Sequence, residues 1–129
     1  MNLPYKVGIS KKLKGIRGMI ADRDIKKGEL IERCPLILIP MEEYESHLKK
    51  TILKRYYYDY NDKFQAVLCG YGFLINHSSH PNAKYTWGYK YKVIIFRAIK
   101  NIKKGDEITI NYNNGSKKKL DKYFTDYKF

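Results

Sequence analysis

The chain has 129 residues, 43% of them hydrophobic, which suits one domain with one core rather than several. No apolar run is long enough to span a membrane, and the first residues lack the hydrophobic region of a secretory signal. The formal net charge of +13 indicates either an anionic partner such as nucleic acid or a solvated Lys-rich surface of compositional origin.

Short strands are the main elements that the sequence predicts. Segments rich in β-branched and aromatic residues lie between turn-forming residues, as is typical of a mainly β fold. The predicted strands cover residues 5–9, 18–21, 29–38, 83–87, 92–98 and 107–112.

One turn sequence occurs twice. Residues 21–31 and 98–108 each begin with Ala, continue to Ile-Lys-Lys-Gly followed by an acidic residue, and lead into a predicted strand. Gly28 and Gly105 can adopt the positive φ that such a turn requires. We therefore expect two like turns, each with its isoleucine packed beneath and its lysine pair facing water.

Two helices are predicted between the strands. The first covers about residues 40–53, with a proline at its start, two glutamates in its first turn and two lysines near its end. A shorter helix is predicted over residues 64–69. The C-terminal segment, residues 113–129, is a basic, aromatic tail. Its residues 117–129 alternate Lys with Tyr and Phe, and we expect either a docked short helix or a frayed end.

Two motifs indicate chemistry. Residues 72–82 read Gly-Phe-Leu-Ile-Asn-His-Ser-Ser-His-Pro-Asn, an apolar entry into a turn that contains Asn76 and His77. Residues 105–112 read Gly-Asp-Glu-Ile-Thr-Ile-Asn-Tyr, a tight turn and a strand that ends at Tyr112. Alone, the first motif is compatible with an ordinary Asx-type turn, and Tyr112 with a half-buried strand tyrosine.

In this order and at this separation, the two motifs resemble the signature motifs of SET-domain protein lysine methyltransferases. The resemblance implies that Asn76 and His77 bind S-adenosylmethionine, and that Tyr112 contacts the cofactor at the methyl-transfer point as the catalytic residue. It also implies a SET fold over the single domain, with a core at about residues 7–112. In that fold, several small curved sheets surround a short helical insert, and the C-terminal segment passes under a loop as a pseudoknot.

Further cofactor contacts follow from the same resemblance. Residues 14–21 are similar to the family's N-terminal Gly-x-Gly motif, in which Gly18 matches the second glycine and Ile16 replaces the first. We therefore expect Arg17 and Gly18 to contact the cofactor through their backbone. In the tail, Phe124 and its neighbour Tyr123 are expected to close the cofactor site.

Substrate contacts are predicted from a tyrosine cluster at residues 56–60. The resemblance implies that Tyr57 or Tyr58 lines a channel for the target lysine, together with Tyr71. Ile110 occupies the position two before Tyr112, which influences the degree of methylation in relatives. The alternative for the tyrosines is packing in the core or in a surface patch.

Methyl transfer to a lysine needs a neutral amine, and at neutral pH its deprotonation costs roughly 4 kcal/mol. An apolar aromatic channel disfavours the ammonium form, and a tyrosine hydroxyl can orient the amine. This chemistry requires no acid–base dyad and no metal. His77, His80 and Cys69 do not match zinc-ligand spacing, so we expect no metal site.

The substrate and the partners have several interpretations. A protein lysine is the predicted target. Because a +13 enzyme repels a free basic peptide, we expect a substrate that has acidic flanks or one that is presented on nucleic acid, as histone-like and ribosomal proteins are. One alternative function is a basic, Tyr-rich domain that binds nucleic acid, and another is a SET-like module that binds peptide without turnover. Two cysteines make no disulfide framework, which favours a reducing, intracellular setting.

Overall fold

The structure, a computed structural model, describes residues 3–113. This part of the chain contains nine strands, one α-helix and four short 3₁₀ helices. The strands are β1 (Tyr5–Ile9), β2 (Arg17–Ala21), β3 (Leu30–Pro40), β4 (Tyr58–Asp59), β5 (Phe64–Leu68), β6 (Asn76–His77), β7 (Ala83–Gly88), β8 (Val93–Ala98) and β9 (Glu107–Ile110). The helix is α1 (Met41–Ser46), and the 3₁₀ helices cover Leu48–Lys50, Ile52–Arg55, Tyr71–Leu74 and Tyr89–Tyr91.

The strands form two sheets. One has the order β4-β5-β3-β8-β7 and is antiparallel throughout. The other has the order β1-β2-β9-β6, in which β6 and β9 are parallel. The long strand β3 pairs with β8 through its first half and with β5 through its second half. Its register shifts between Leu30 and Glu32, as at a β-bulge, which increases local twist.

The core lies where the two sheets face each other. Met19 and Ile108 come from the smaller sheet, and Ile94 and Phe96 from the larger, and none of the four is exposed to solvent. Burying such side chains contributes about 1.5–3 kcal/mol each before conformational entropy is subtracted. This shared core fixes one sheet against the other.

The structure confirms the mainly β architecture and the predicted strands, with end shifts of one to two residues. The last strand ends at Ile110 rather than at residue 112, because the chain turns there. The expected turns are present: Gly28 and Gly105 have φ of 89° and 94°. Ile25 and Ile102 are buried beneath them.

Two predictions about helices are wrong. The first helix is shorter than residues 40–53, because α1 ends at Ser46 and 3₁₀ turns follow. α1 buries none of its residues, so no apolar face extends it, and Thr51 caps a new turn by accepting from the backbone N–H of Leu53 at 3.2 Å. Residues 64–68 form strand β5 and not a helix, because pairing with β3 and β4 outweighs local propensity.

The described residues end at the start of the C-terminal tail. The predicted pseudoknot involves the segment after β9, and it stays a prediction because residues 114–129, including Tyr123 and Phe124, lie outside the described residues. Over residues 3–113, none of the helices is long and apolar enough to cross a membrane.

Candidate active site

The two motifs meet through strands β6 and β9. Their parallel pairing sets Asn76 beside Thr109 and His77 beside Ile110. Two residues after β9, Tyr112 turns back towards β6. Its backbone N–H donates to His77 Nδ1 at 3.0 Å, and its hydroxyl donates to the carbonyl of Ile75 at 2.7 Å. The fold thus fixes both the backbone and the side chain of Tyr112 against the first motif.

A cavity of about 260 Å³ opens beside Tyr112. Three parts of the chain line it: the loop between β1 and β2, the insert that follows α1, and the first motif with Tyr112. Its lining residues are Gly15, Ile16, Arg17, Arg55, Tyr56, Phe73, Leu74, Asn76 and Tyr112. The structure therefore brings the predicted residues Arg17, Asn76 and Tyr112 to one cavity.

A carboxylate that the motif analysis did not single out organises this cavity. Glu107 Oε2 accepts from Asn76 Nδ2 at 2.8 Å, and Glu107 Oε1 accepts from Ser10 Oγ at 2.6 Å. Asn76 Nδ2 also donates to the backbone carbonyl of Arg17 at 3.0 Å. Ser10 Oγ in turn accepts from the backbone N–H of Leu13 at 3.0 Å. Glu107 therefore joins the β1–β2 loop to the first motif.

Both amide protons of Asn76 are used in this arrangement. The carbonyl of Arg17 and the carboxylate of Glu107 can only accept, so the amide nitrogen must face them. The amide oxygen is then the part of Asn76 that can serve a ligand, and it suits a cationic donor such as an ammonium group.

Position 18 needs a glycine because the side chains of Glu107 and Asn76 lie very close to its backbone. It is buried on β2, and a Cβ there would lie 2.6 Å from Glu107 Oε2 and 3.0 Å from Asn76 Nδ2. Any side chain at this position would separate the carboxylate from the amide. Gly18 does not line the cavity, and its contribution is to let the Glu107–Asn76 contact form.

Aromatic rings surround Tyr112 on its protein side. The ring of His77 lies 5.3 Å from that of Tyr112, and the ring of Tyr58 lies 6.5 Å away, both tilted. Tyr58 donates its hydroxyl to the carbonyl of Gly72 at 3.3 Å, and Tyr85 donates to the carbonyl of Tyr112 at 3.4 Å. The rings of His77 and Tyr58 thus pack against the Tyr112 ring, whereas the Tyr85 hydroxyl bonds to the Tyr112 backbone.

Burial sets the protonation of two of these groups. It lowers the pKa of His77, which favours the neutral imidazole. Because Nδ1 accepts the Tyr112 N–H, the proton of the neutral ring is assigned to Nε2. Burial also raises the pKa of Tyr85 to about 12, so its phenol stays protonated and able to donate.

The residues predicted to bind substrate occupy different places. Tyr57 is 8% exposed, packs on the Tyr44 ring at 5.3 Å, and lines a second, apolar cavity of about 450 Å³. The ring of Tyr58 packs against the ring of Tyr112. Tyr71 is half-exposed, packs edge-on against another ring, and lines neither cavity, while Ile110 is fully buried in the core.

The second cavity adjoins the first. The two share the side chains of Arg17, Tyr56, Phe73 and Leu74. From the sequence, Tyr56 belongs to the tyrosine cluster without a role of its own, and Phe73 and Leu74 have no predicted role. Phe73 and Leu74 lie within the first motif, so only their position marked them.

The cavity wall has a mixed chemistry. The guanidinium groups of Arg17 and Arg55 supply positive charge, and Asn76 supplies an acceptor. The rings of Tyr56 and Phe73, which belong to the same wall, supply apolar and π surfaces. This set suits a ligand that combines a carboxylate, an ammonium group and an aromatic base. No cluster of three or more metal-ligating side chains occurs among residues 3–113.

Comparison with known proteins identifies one family by sequence profile and by similarity to a relative. The SET domain profile matches residues 16–113. A histone-lysine N-methyltransferase of Schizosaccharomyces pombe, H3 lysine-37 specific, is 31% identical over 98 residues, which are 76% of this chain and 67% of that protein.

Two solved structures are similar over most of the chain. A Plasmodium falciparum protein, described as a candidate histone methyltransferase, has a TM-score of 0.70 and 33% identity, covering 90% of this chain and 98% of that one. A humanized mutant of the Chaetomium thermophilum Polycomb Repressive Complex 2, bound to the inhibitor GSK126, has a TM-score of 0.73. At 23% identity, over 88% of this chain and 15% of that one, this second similarity concerns the fold alone.

Proposed function

Since this chain belongs to the SET-domain family and is a protein-lysine methyltransferase, we propose that it transfers a methyl group from S-adenosylmethionine to a lysine of a histone-like protein. The predicted SET fold is confirmed by the same similarity. The observation that carries the proposal is the convergence of Arg17, Asn76 and Tyr112 on one cavity, with Tyr112 fixed by His77 and Ile75.

The cavity beside Tyr112 fits S-adenosylmethionine by its donor set. Arg17 or Arg55 would hold the carboxylate of the methionine part, and Asn76 Oδ1 would accept from its ammonium group. Tyr56 and Phe73 would pack against the purine. His77 contributes by positioning Tyr112, and we keep it as a cofactor contact through its backbone. When bound, the cofactor supplies an electrophilic methyl group on a sulfonium centre.

Tyr112 has the geometry to orient the lysine amine. Its hydroxyl proton is donated to the Ile75 carbonyl, so the phenolic oxygen presents lone pairs to a second group. An amine N–H that donates to this oxygen would have its own lone pair directed elsewhere, towards the methyl donor. Tyr112 therefore acts as an acceptor that aligns the nucleophile, and removes no proton itself.

The surroundings favour a neutral amine. The rings of Tyr58 and His77 lie against Tyr112, and burial keeps that imidazole uncharged. A lysine that enters such a site is desolvated, which disfavours its ammonium form and lowers its pKa. The proton is lost to solvent before transfer, which is why no catalytic base is needed.

The remaining predicted contacts stay proposals. We assign Tyr57 and Tyr58 to the lysine channel and retain Tyr71 and Ile110 as substrate-side positions that act through packing. Phe124 is proposed to close the cofactor site from the tail. Nucleic acid association through the Lys-rich surface and a reducing, intracellular setting are proposed on the charge and the two cysteines.

The test is methylation of a defined substrate. The purified chain is incubated with methyl-labelled S-adenosylmethionine and either free histones or reconstituted nucleosomes, and the labelled residue is located by mass spectrometry. We expect label on a lysine side chain and formation of S-adenosylhomocysteine. Label on another residue type, or none on either substrate or on a whole-cell lysate, would contradict the proposal.

A further inference from the structure

The two Ile-Lys-Lys-Gly turns are in contact with each other. Ile25 and Ile102 form an antiparallel bridge in which each backbone N–H donates to the other's carbonyl at 2.8 Å. The N–H of each turn glycine also donates to the carbonyl of the alanine that begins the other turn sequence, both at 2.8 Å. The two turns are therefore related by a local two-fold arrangement.

Side chains follow the same symmetry. The backbone N–H of Lys27 donates to Asn101 Oδ1 at 2.9 Å, and that of Lys104 donates to Asp24 Oδ1 at 2.9 Å. Asn101 and Asp24 hold equivalent positions in the two turn sequences. The reciprocal contacts fix both turns as one rigid unit, so the exposed lysines that they carry have a defined relation.

Seven lysines lie on or beside this unit, and we call this surface the twin-turn face. All seven are exposed: Lys26, Lys27, Lys103, Lys104, Lys11, Lys12 and Lys100. The last three line a groove of about 460 Å³ that runs between the β1–β2 loop and the second turn.

The carboxylates near this face have other partners. Asp22 pairs with Lys6 at 3.8 Å, and Glu29 pairs with Arg23. Asp24 accepts from a turn N–H, as does Asp106 at 3.3 Å, and the Glu107 of the groove is bound to the cavity network. Within residues 3–113, none of the seven lysines forms an ion pair with these or other carboxylates.

The positive charge of the described chain is unevenly distributed along the sequence. Residues 32–69, which contain the insert, carry six basic and six acidic side chains. The net positive charge of the described chain therefore comes from residues 3–31 and 84–107, which build the twin-turn face and the neighbouring strands. A uniform compositional excess of lysine does not account for that distribution.

We propose that the twin-turn face binds the phosphate backbone of duplex DNA. Spread, unpaired lysines suit a repeating line of phosphates better than a single anion. A duplex has local two-fold axes that relate its two strands, so two equivalent lysine pairs can meet both backbones in the same way. The cavity beside Tyr112 is lined by other residues, and DNA bound here leaves it open.

This binding also answers the charge problem of the substrate. The proposed target lysines lie in basic proteins, which a +13 chain repels. Duplex DNA neutralises both partners and presents the basic protein near the enzyme. The inference rests on the proposed function in this respect alone, since the binding itself needs neither cofactor nor substrate.

The experiment measures binding of a fluorescent duplex DNA of random sequence over a salt series, without cofactor. The test variant replaces Lys26, Lys27, Lys103 and Lys104 by Gln. We expect weaker binding and a log–log salt slope smaller by about 3 to 4 units, if each lysine meets one phosphate. Methylation of a free peptide of zero net charge is measured in parallel and should be unchanged.

The matched control replaces the same number of lysines in the neutral insert, Lys49, Lys50, Lys54 and Lys63, by Gln. Its salt slope should equal that of the wild type. An equal reduction in both variants would overturn the localisation, and an unchanged slope in the test variant would overturn the proposal. Equal affinity for single-stranded DNA of the same length would overturn the assignment to a duplex. Binding confined to duplex RNA would overturn the assignment to DNA.

Discussion

Glu107 is the residue through which the distant parts of the cavity are connected. It lies 97 positions from Ser10 and 31 from Asn76, and it binds both. In a motif search, Glu107 is one acidic residue at the start of a strand, and Ser10 carries no signal. The pairing arises only when β1, β2 and β9 are placed side by side, so sequence could not predict it.

Removing this carboxylate should weaken cofactor binding. In Glu107→Ala, Asn76 and Ser10 lose a partly buried acceptor, and hydrogen bonds to a charged group contribute about 1.5–3 kcal/mol each. We expect the cofactor Kd to rise at least about tenfold, which is ~1.4 kcal/mol, in calorimetric titrations.

Glu107→Gln is the matched control. Its amide oxygen can accept from Asn76, and its nitrogen can donate to Ser10 Oγ, so most of the affinity should return. If the Ala variant bound cofactor as tightly as the wild type, Glu107 would have no positioning role. If Gln were as weak as Ala, the charge rather than the geometry would be responsible.

Strand pairing decides which predicted elements form. Because β-branched and aromatic residues suit pleated sheets, the sequence predicts β1, β2, β3, β7, β8 and β9, and these propensities agree with the fold. Residues 64–68 have no such distinctive pattern, and they become a strand because β3 offers a free edge. The parallel β6–β9 pair, which creates the site, is two residues long in β6 and too short to predict.

The 3₁₀ helix before β6 is packed against the core without spare volume. A Cβ on Gly72 would lie 2.6 Å from Leu68 Cδ2 and 2.7 Å from Phe96 Cε2. Gly72→Ala should therefore reduce the free energy of unfolding by about 1–3 kcal/mol, the usual cost of overpacking. Urea denaturation would measure the change.

A double variant distinguishes overpacking from other causes. Leu68→Ala removes one of the two side chains that oppose the new methyl group, so the combined variant should cost less than the sum of the single changes. Strict additivity would contradict the overpacking explanation, as would an unchanged stability of Gly72→Ala.

One partly buried imidazole, that of His77, connects the two motifs of the molecule. Burial lowers the pKa of His77 below the ordinary 6.5, so the unfolded chain binds this proton more readily than the folded one. The stability contributed by the neutral ring is complete above about pH 6.5 and is lost progressively as the pH falls below it. Protonation of Nδ1 would also break the bond from Tyr112 N–H.

We therefore expect the free energy of unfolding to fall between about pH 7 and pH 5, beyond what carboxylates contribute. In His77→Asn, whose side-chain oxygen can replace Nδ1 as the acceptor, the fall should be smaller. His80→Asn, at an exposed position, should keep the wild-type profile. Identical profiles for wild type and His77→Asn would show that this imidazole is not the titrating group.

The sequence predicts the family of the molecule, but it does not predict the surfaces and cavities that the fold creates. The family motifs contain Asn76, His77 and Tyr112, which the fold brings together at the β6–β9 pair and in the turn after β9. The contact between the two repeated turns could not be predicted, because a repeat in sequence does not say whether its copies touch. The apolar second cavity likewise depends on how the insert folds over β5.

The central claim is that Tyr112 aligns the lysine amine beside a cofactor held by other residues, and one comparison tests it most directly. Turnover and cofactor affinity are measured for wild type, Tyr112→Phe and the matched Tyr85→Phe, which loses a neighbouring hydroxyl that donates to the Tyr112 backbone carbonyl. We predict that Tyr112→Phe loses most of its turnover and keeps its cofactor affinity, while Tyr85→Phe retains both. Turnover of Tyr112→Phe within about threefold of wild type, a loss of only ~0.6 kcal/mol in transition-state stabilisation, would contradict the account.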